Sequence, residues 1–333
     1  MPSSLSRILG DCYHRRVTEQ SDATRKIPVI VGPTASGKSE LGIKLALEIG
    51  GEIVNLDSIQ VYRGIYVATS KTPLDERRGV PHHLIDIAEP TENFTAGRYG
   101  SVAETAIHEI ESRNKAAVLV GGTGFYLRAL VKPLFESPAT DADLRARLIR
   151  LRESRGPQHL HRILERLDPA SARRISPRDW SRTMRALEYR LQTRGRISEA
   201  QTNMPEPPGL SRRIRIIALN PPRAELYERI NRRADSMSEG LIDEVRTLIR
   251  AGVPSTAKAF GAHGYRRVIE YLEGKRSRED ALEQMKIDTR HYAKRQLSWW
   301  RSWPGVKWIN RFGEDDESLK EALEILAADD LLD

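Results

Sequence analysis

Ile27-Pro28-Val29-Ile30-Val31 is a short apolar run stopped by Gly32, the pattern of a buried strand. From Lys38, Leu41, Leu45 and Ile49 recur at helical spacing and stop at Gly50-Gly51. Glu52-Ile53-Val54-Asn55-Leu56 predicts a second strand running into Asp57-Ser58. A helix is expected over 99–113, and Ala116-Ala117-Val118-Leu119-Val120 predicts a third strand ended by Gly121-Gly122. Strands alternating with helices imply a parallel sheet covered on both faces.

Between about 140 and 200 the strand signal disappears. Leu144, Leu148 and Leu151, then Leu160, Ile163, Leu164 and Leu167, then Trp180, Met184, Leu187 and Leu191 predict three amphipathic helices with arginines on their outer faces. Met204-Pro205-Glu206-Pro207-Pro208-Gly209 has linker composition. Ile214-Arg215-Ile216-Ile217-Ala218-Leu219 predicts a fourth strand, and long helices are expected to about residue 302. The expected organisation is a poorly ordered tail over 1–25, an α/β core over 26–140 and 205–310, a basic helical insertion over 141–204, and a C-terminal helical tail over 311–333.

Charge sharpens this division. The 333 residues carry a formal net charge of +8. Residues 1–140 hold 16 basic and 16 acidic side chains, and residues 201–333 hold 23 and 22. The block 141–200 holds 15 and 8, and all 15 bases are arginine. An excess concentrated in one block favours an anionic polymer partner over a solvated helical face. The single cysteine, Cys12, leaves no disulfide framework and no cysteine-based metal site, so a reducing, cytoplasmic setting is expected. No apolar run approaches the roughly 18–20 residues that a membrane span needs, and no membrane association is expected.

The sharpest motif is Gly32-Pro33-Thr34-Ala35-Ser36-Gly37-Lys38-Ser39, a full match to G-x-x-x-x-G-K-[ST] between a strand and a helix. Its backbone amides and helix N-terminus suit a di- or triphosphate. Lys38 supplies a cation, and the Ser39 hydroxyl is a candidate Mg²⁺ ligand. The strand ending at Val120 carries no carboxylate where a P-loop NTPase commonly places one; the acid is Asp57, at the end of the second strand. Strand C-termini converge on the ligand crevice of an open parallel sheet, so Asp57, Thr123 and the P-loop are expected to share one site. For Asp57 the alternatives are a general base or metal partner and a helix N-cap; for Thr123, a functional hydroxyl or turn chemistry. Arg223, Arg229 and Arg233 could reach the phosphates or pair with Glu225 and Glu228. His82-His83 is a poor metal pair, because neighbours on a strand point to opposite faces.

These motifs carry a resemblance. The P-loop, Asp57-Ser58-Ile59-Gln60-Val61-Tyr62, His82-His83-Leu84-Ile85-Asp86 and Gly121-Gly122-Thr123-Gly124-Phe125-Tyr126-Leu127 stand in the order found in tRNA dimethylallyltransferases. Arg185-Ala186-Leu187-Glu188, Gly264-Tyr265 and Tyr292-Ala293-Lys294-Arg295-Gln296 continue it, so the similarity spans about 27–305. It implies a P-loop NTPase-like α/β sheet with helices on both faces plus an all-helical insertion domain. The implied activity is transfer of a dimethylallyl group from dimethylallyl diphosphate to N6 of adenosine-37, beside the tRNA anticodon.

By that resemblance Gly32 to Ser39 hold the diphosphate with Mg²⁺ on Ser39, Asp57 is the base, and Thr123 orients the reacting atoms. Asp57, Ser58, Ile59, Gln60 and Thr123 lie near the target base. Arg145, Arg182, Arg185, Arg266, Lys294, Arg295 and Arg301 meet the anticodon stem-loop. Arg182 and Arg185, three apart on one helix, are expected to face outward together, and Trp299 and Trp300 either stack on a base or belong to the core. The chain departs from the family pattern at Ala68-Thr69-Ser70-Lys71-Thr72-Pro73, at His263 and at Ser298-Trp299. It resembles the bacterial type without a zinc finger, and a monomer is expected. The competing readings are a P-loop small-molecule or nucleoside kinase and a nucleotide-switched nucleic-acid-binding protein.

Overall fold

The computed structural model describes residues 25–132, 137–202 and 209–329. Each apolar run that ends in glycine or a polar turn becomes a strand. In chain order β1 (Ile27–Val31) leads through the P-loop to α1 (Lys38–Glu48), then β2 (Gly51–Leu56), a short β3 (His82–His83), α2 (Ala96–Ser112), β4 (Ala116–Gly121) and α3 (Gly124–Val131). Five helices follow: α4 (Ala142–Arg155), α5 (His159–Leu167), α6 (Pro169–Arg174), α7 (Trp180–Thr193) and α8 (Ile197–Thr202). The chain resumes with α9 (Leu210–Arg213), β5 (Ile214–Leu219), α10 (Arg223–Arg250), α11 (His263–Leu272), α12 (Arg278–Arg301), β6 (Lys307–Ile309) and α13 (Asp316–Asp329).

The six strands form one sheet in the order β3-β2-β4-β1-β5-β6. All five pairings are parallel, with Ile30 opposite Val120 and Ile27 opposite Ile214 in register. Successive strand residues serve opposite layers. Ile27, Val29 and Val31 pack with Tyr99, Ile107, Leu127 and Trp300 on one face, whereas Ile30 packs with Leu41, Leu45, Ile49 and Leu323 on the other. Covering both faces removes the polar alternation of a one-sided sheet, which is why these strands read as continuous apolar runs. β1 lies between β4 and β5, so its C-terminal turn sits mid-sheet.

Four strands were predictable; β3 and β6 were not, because two or three residues such as His82-His83 carry no period-2 signal. Residues 311–329 are no appendage. α13 buries Ala322, Leu323 and Leu326 against the layer that contains α1. Arg25, expected within the N-terminal tail, is 2% exposed and donates from Nη1 to Lys115 O at 3.2 Å. The expectations for 1–24 and for the linker residues 204–208 lie outside the described residues.

The chain divides into two units, 1–131 with 209–333 and 132–208. Within the second, Leu148, Leu160, Leu164, Met184, Leu187 and Ile197 form a separate core. The described residues of this unit contain five helices rather than the three expected, since Asp168 and Pro169 break the periodicity between α5 and α6. Asp168 is buried, which alone would raise its carboxyl. Hydrogen bonds from Ser171 and Ser198 instead hold it below the usual carboxylate range, so α8 is tied to the start of α6. Trp180 and Leu191 leave the predicted apolar face and stand exposed, with the Arg152 guanidinium 4.7 Å from the centre of the Trp180 ring.

A buried ion pair closes the lower edge of the first unit. Arg213 contacts Glu111 through Nη2 and donates from Nε to Arg25 O at 2.6 Å, and both charged side chains are buried. Arg213→Met strands the Glu111 carboxylate and is expected to cost about 3–5 kcal/mol. Urea unfolding measures it, and a loss below about 1 kcal/mol would contradict the assignment. Adding Glu111→Leu to that variant should recover part of the loss.

Candidate active site

The turn after β1 adopts an unusual backbone. Ala35 has φ 63° and Gly37 φ 84°, both left-handed, and Gly37 is the N-cap of α1. Alternating right- and left-handed residues turn successive N–H groups inward and make a nest for an anion, to which the N-terminus of α1 adds positive partial charge. Ser36 is fully buried beneath the nest, and its carbonyl accepts the Gly313 N–H at 2.9 Å. The Glu314 side chain lies against Gly37, leaving no room there for a Cβ.

This nest forms one wall of a cavity of about 1020 Å³. Thr34 to Ser39 line it, whereas Gly32 and Pro33 lie behind. Lys38 folds back and donates to Pro33 O at 2.8 Å. Burial pushes its ammonium down to about 8; the Asp57 and Glu314 carboxylates oppose that shift and the Arg233 guanidinium adds to it.

Asp57 to Gln60 line the same cavity from the end of β2. Asp57 Oδ1 accepts the Ile59 and Gln60 N–H groups at 2.8 and 3.2 Å, while Oδ2 accepts no hydrogen bond among the described residues. One oxygen therefore caps a turn rather than a helix, and the other is left unengaged among the described residues. The Gln60 amide is committed to Thr69 O at 2.9 Å. Thr123 lies behind this turn rather than in the lining: its Oγ1 accepts the Ser58 N–H at 3.1 Å and donates to Ser58 Oγ at 3.4 Å. Burial, reinforced by the Asp57 charge, pushes the Tyr292 phenol well above its usual value.

The facing wall comes from α10, α11 and the segment 68–73. Arg233 reaches into the cavity and donates to Ala68 O at 3.2 Å; burial lowers its pKa against the pull of Asp57. Arg229 pairs with Glu314 at 3.0 Å and covers the Phe312 ring, so its partner is not Glu225 or Glu228. Arg223 stacks on Tyr227 and does not line the cavity. Tyr265 donates to Glu244 at 2.5 Å, and Glu244 accepts the Tyr66 N–H at 2.8 Å, which fixes the start of this wall. Lys71 is buried, donating to Tyr62 O at 2.5 Å and to Asp86 at 2.6 Å. Glu314 had no signal in the sequence, because it sits in a short polar turn 276 positions from Lys38.

The donor set suits Mg²⁺ bound mainly through substrate. Ser39 lines the cavity, and its hydroxyl makes no protein hydrogen bond among the described residues. Among those residues no group of three or more His, Cys, Asp or Glu could hold a metal unaided. Mg²⁺ in phosphate sites is held by one or two protein groups plus phosphate oxygens, so Ser39 fits that role. His83 is engaged by Glu52 at 2.6 Å and His82 by Val80 O at 2.8 Å.

A family model described as IPP transferase matches residues 60–303. A tRNA dimethylallyltransferase of Solibacter usitatus is 44% identical over 90% of this chain and 97% of that relative. The chain belongs to the IPP transferase family. Its relative from Thermotoga maritima, also named tRNA dimethylallyltransferase, is 42% identical over 90% of this chain and 97% of its own length. The crystal structure of a full-length tRNA isopentenylpyrophosphate transferase from Bacillus halodurans aligns with TM-score 0.67 at 38% identity, covering 91% and 96% of the two chains. A eukaryotic dimethylallyltransferase acting on tRNA aligns with TM-score 0.73 at 28% identity, covering 92% of this chain and 79% of that one.

The residues expected by family resemblance to meet tRNA separate in the structure. Arg145 grips fully buried Glu188 with two bonds of 2.6 and 2.9 Å. Arg185 contacts the same carboxylate at 3.3 Å, together with Ser137 and Pro138 O, so it does not face outward beside Arg182. Arg182 is 72% exposed. Arg266 is exposed, as are Lys294, Arg295 and Arg301 on α12. Arg295 bonds His263 at 3.0 Å, and His263 lines the cavity; burial, then Arg295, lowers the imidazole pKa. Trp300 is core, and Trp299 packs against Gly124. Among the described residues no helix is long and apolar enough to cross a membrane.

Two expectations follow from this geometry. Arg145→Ala should lower the thermal midpoint by several degrees, because it exposes a buried carboxylate, whereas Arg182→Ala should leave it unchanged. Equal midpoints in the two variants would refute the distinction. For Lys38, a bound diphosphate favours the ammonium, so a group near 8 in the free protein takes up a proton on binding at pH 8–9. Calorimetry in two buffers of different ionisation enthalpy should register that uptake, and affinity should fall as pH rises through 8. Lys38→Met should remove both effects.

Proposed function

We propose that this chain transfers the dimethylallyl group of dimethylallyl diphosphate to N6 of adenosine-37 in tRNA, releasing diphosphate. The observation that carries the reading is the free Oδ2 of Asp57 in the cavity that the P-loop lines. A diphosphate cradle and an unengaged base on one wall match the two ends of a prenyl transfer to an amine. Relatives named tRNA dimethylallyltransferase support the same reaction, and nothing in these comparisons favours a kinase.

The inward amides of the P-loop and Lys38 bind the diphosphate and offset the charge that develops on it as the allylic C–O bond breaks. Ser39 is the residue that would hold Mg²⁺, whose charge would add to this neutralisation. The N6 lone pair attacks the allylic carbon, a C–N bond forms, and Asp57 Oδ2 accepts the proton that nitrogen sheds. Thr123 holds the Ser58 backbone and thereby the Asp57 turn. Arg233, which lines the same cavity and feels the Asp57 charge, adds positive charge for the diphosphate.

An adenine within a stacked loop cannot reach this cavity, so the base must be flipped into it. Arg266, Lys294, Arg295 and Arg301, all exposed, suit the surrounding phosphates, and Arg182, exposed on the helical unit, suits a tRNA phosphate in its own right. A cytoplasmic monomer fits this role. Incubation with unmodified tRNA and labelled dimethylallyl diphosphate, followed by nucleoside analysis, should yield N6-(dimethylallyl)adenosine. Asp57→Asn should bind tRNA normally and lower the single-turnover rate by ~10²–10⁴. Robust ATP turnover without prenyl transfer would defeat the reading.

A further inference from the structure

Gln296 lies on α12 beside exposed Lys294 and Arg295, yet its own side chain is only 6% exposed. Its Oε1 accepts the Thr34 N–H of the P-loop at 2.9 Å. Its Nε2 donates to Gly122 O at 3.1 Å. A Cβ at Gly122 would displace that same Nε2, so the glycine leaves room for the amide. The next residue, Thr123, donates its N–H to Leu56 O at 3.1 Å and accepts the Ser58 N–H through Oγ1 at 3.1 Å. Leu56 and Ser58 flank Asp57.

One primary amide thus joins two loops that no backbone hydrogen bond links directly. A carboxamide suits this place: it offers a donor and an acceptor on one rigid plane, and the two loops present one carbonyl and one N–H. Because Gln296 takes the Thr34 N–H, that amide is not free for phosphate, and the nest begins at Ala35. We propose that Gln296 is a positioning residue that sets the distance between the diphosphate nest and Asp57. The proposal rests on the transferase reading. It matters because the leaving oxygen, the allylic carbon and the attacking nitrogen must line up, and a misplacement of ~1 Å can cost ~10²-fold in rate.

Gln296→Met keeps the length of the side chain but neither donates nor accepts. Gln296→Glu keeps the acceptor for Thr34 and sets an oxygen against Gly122 O. Both variants should bind inorganic diphosphate and tRNA within about threefold of wild type, while the single-turnover rate at saturating substrates falls about 10²-fold. The decisive measurement is a double-mutant cycle. In an Asp57→Asn background, Gln296→Met should cost less than about threefold further, because the base it positions is gone.

A full 10²-fold loss in that background would overturn the proposal. So would a single-variant rate within about threefold of wild type, or a loss confined to KM. Thermal unfolding of each variant guards the comparison. If Gln296→Met does not fold, Gln296→Glu carries the cycle, and failure of both to fold would mark the residue as architectural and refute the positioning role. A wild-type protein without prenyl transfer would defeat the transferase reading instead, and this proposal with it.

Discussion

The left-handed turn at Ala35 and Gly37 is the constraint around which the rest is arranged. An alanine at φ 63° is strained by roughly 1 kcal/mol or more. The turn persists because its surroundings leave no alternative. The Ser36 carbonyl is tied to Gly313, the Thr34 N–H to Gln296, and the Glu314 side chain fills the space beside Gly37. With the amides held inward before any ligand arrives, the protein spends little order on binding an anion, which is the use of preorganisation.

The same economy governs charge. Lys38, Arg233 and Asp57 share one cavity, and the desolvation of the two cations is partly offset by the carboxylate. In the helical unit the arrangement reverses. Glu188 is fully buried and takes Arg145 and Arg185, so two of the fifteen arginines of the block 141–200 are half-exposed counter-charges to a buried carboxylate rather than unengaged surface charge. Net charge located the basic block correctly, but it could not say which arginines were already engaged.

That difference describes what was legible in the sequence. Long apolar runs and the G-x-x-x-x-G-K-S spacing report local geometry, and β1, β2, β4, β5 and the P-loop were readable for that reason. Asp57 was readable because strand ends converge in a parallel sheet. The unreadable parts depend on partners distant in the chain: β3 and β6 exist only as edges added to other strands, Glu314 reaches Gly37 through tertiary packing, and Arg185 turns inward because Glu188 is buried one helical turn away. Periodicity places Trp180 and Leu191 on the apolar face of α7, but that core ends at Met184 and Leu187 and leaves both outside.

The strap formed by Gly313 and Glu314 has a consequence for the order in which the protein comes into being. The P-loop leaves the ribosome about 180 residues before β5, which pairs with β1. The backbone that supports Ser36, at Gly313, follows later still. During synthesis the nest for phosphate therefore lacks its support until Gly313 has emerged. A chain truncated or stalled before Gly313 carries the motif without the architecture that shapes it, so the nest takes its form only once that distant turn is in place.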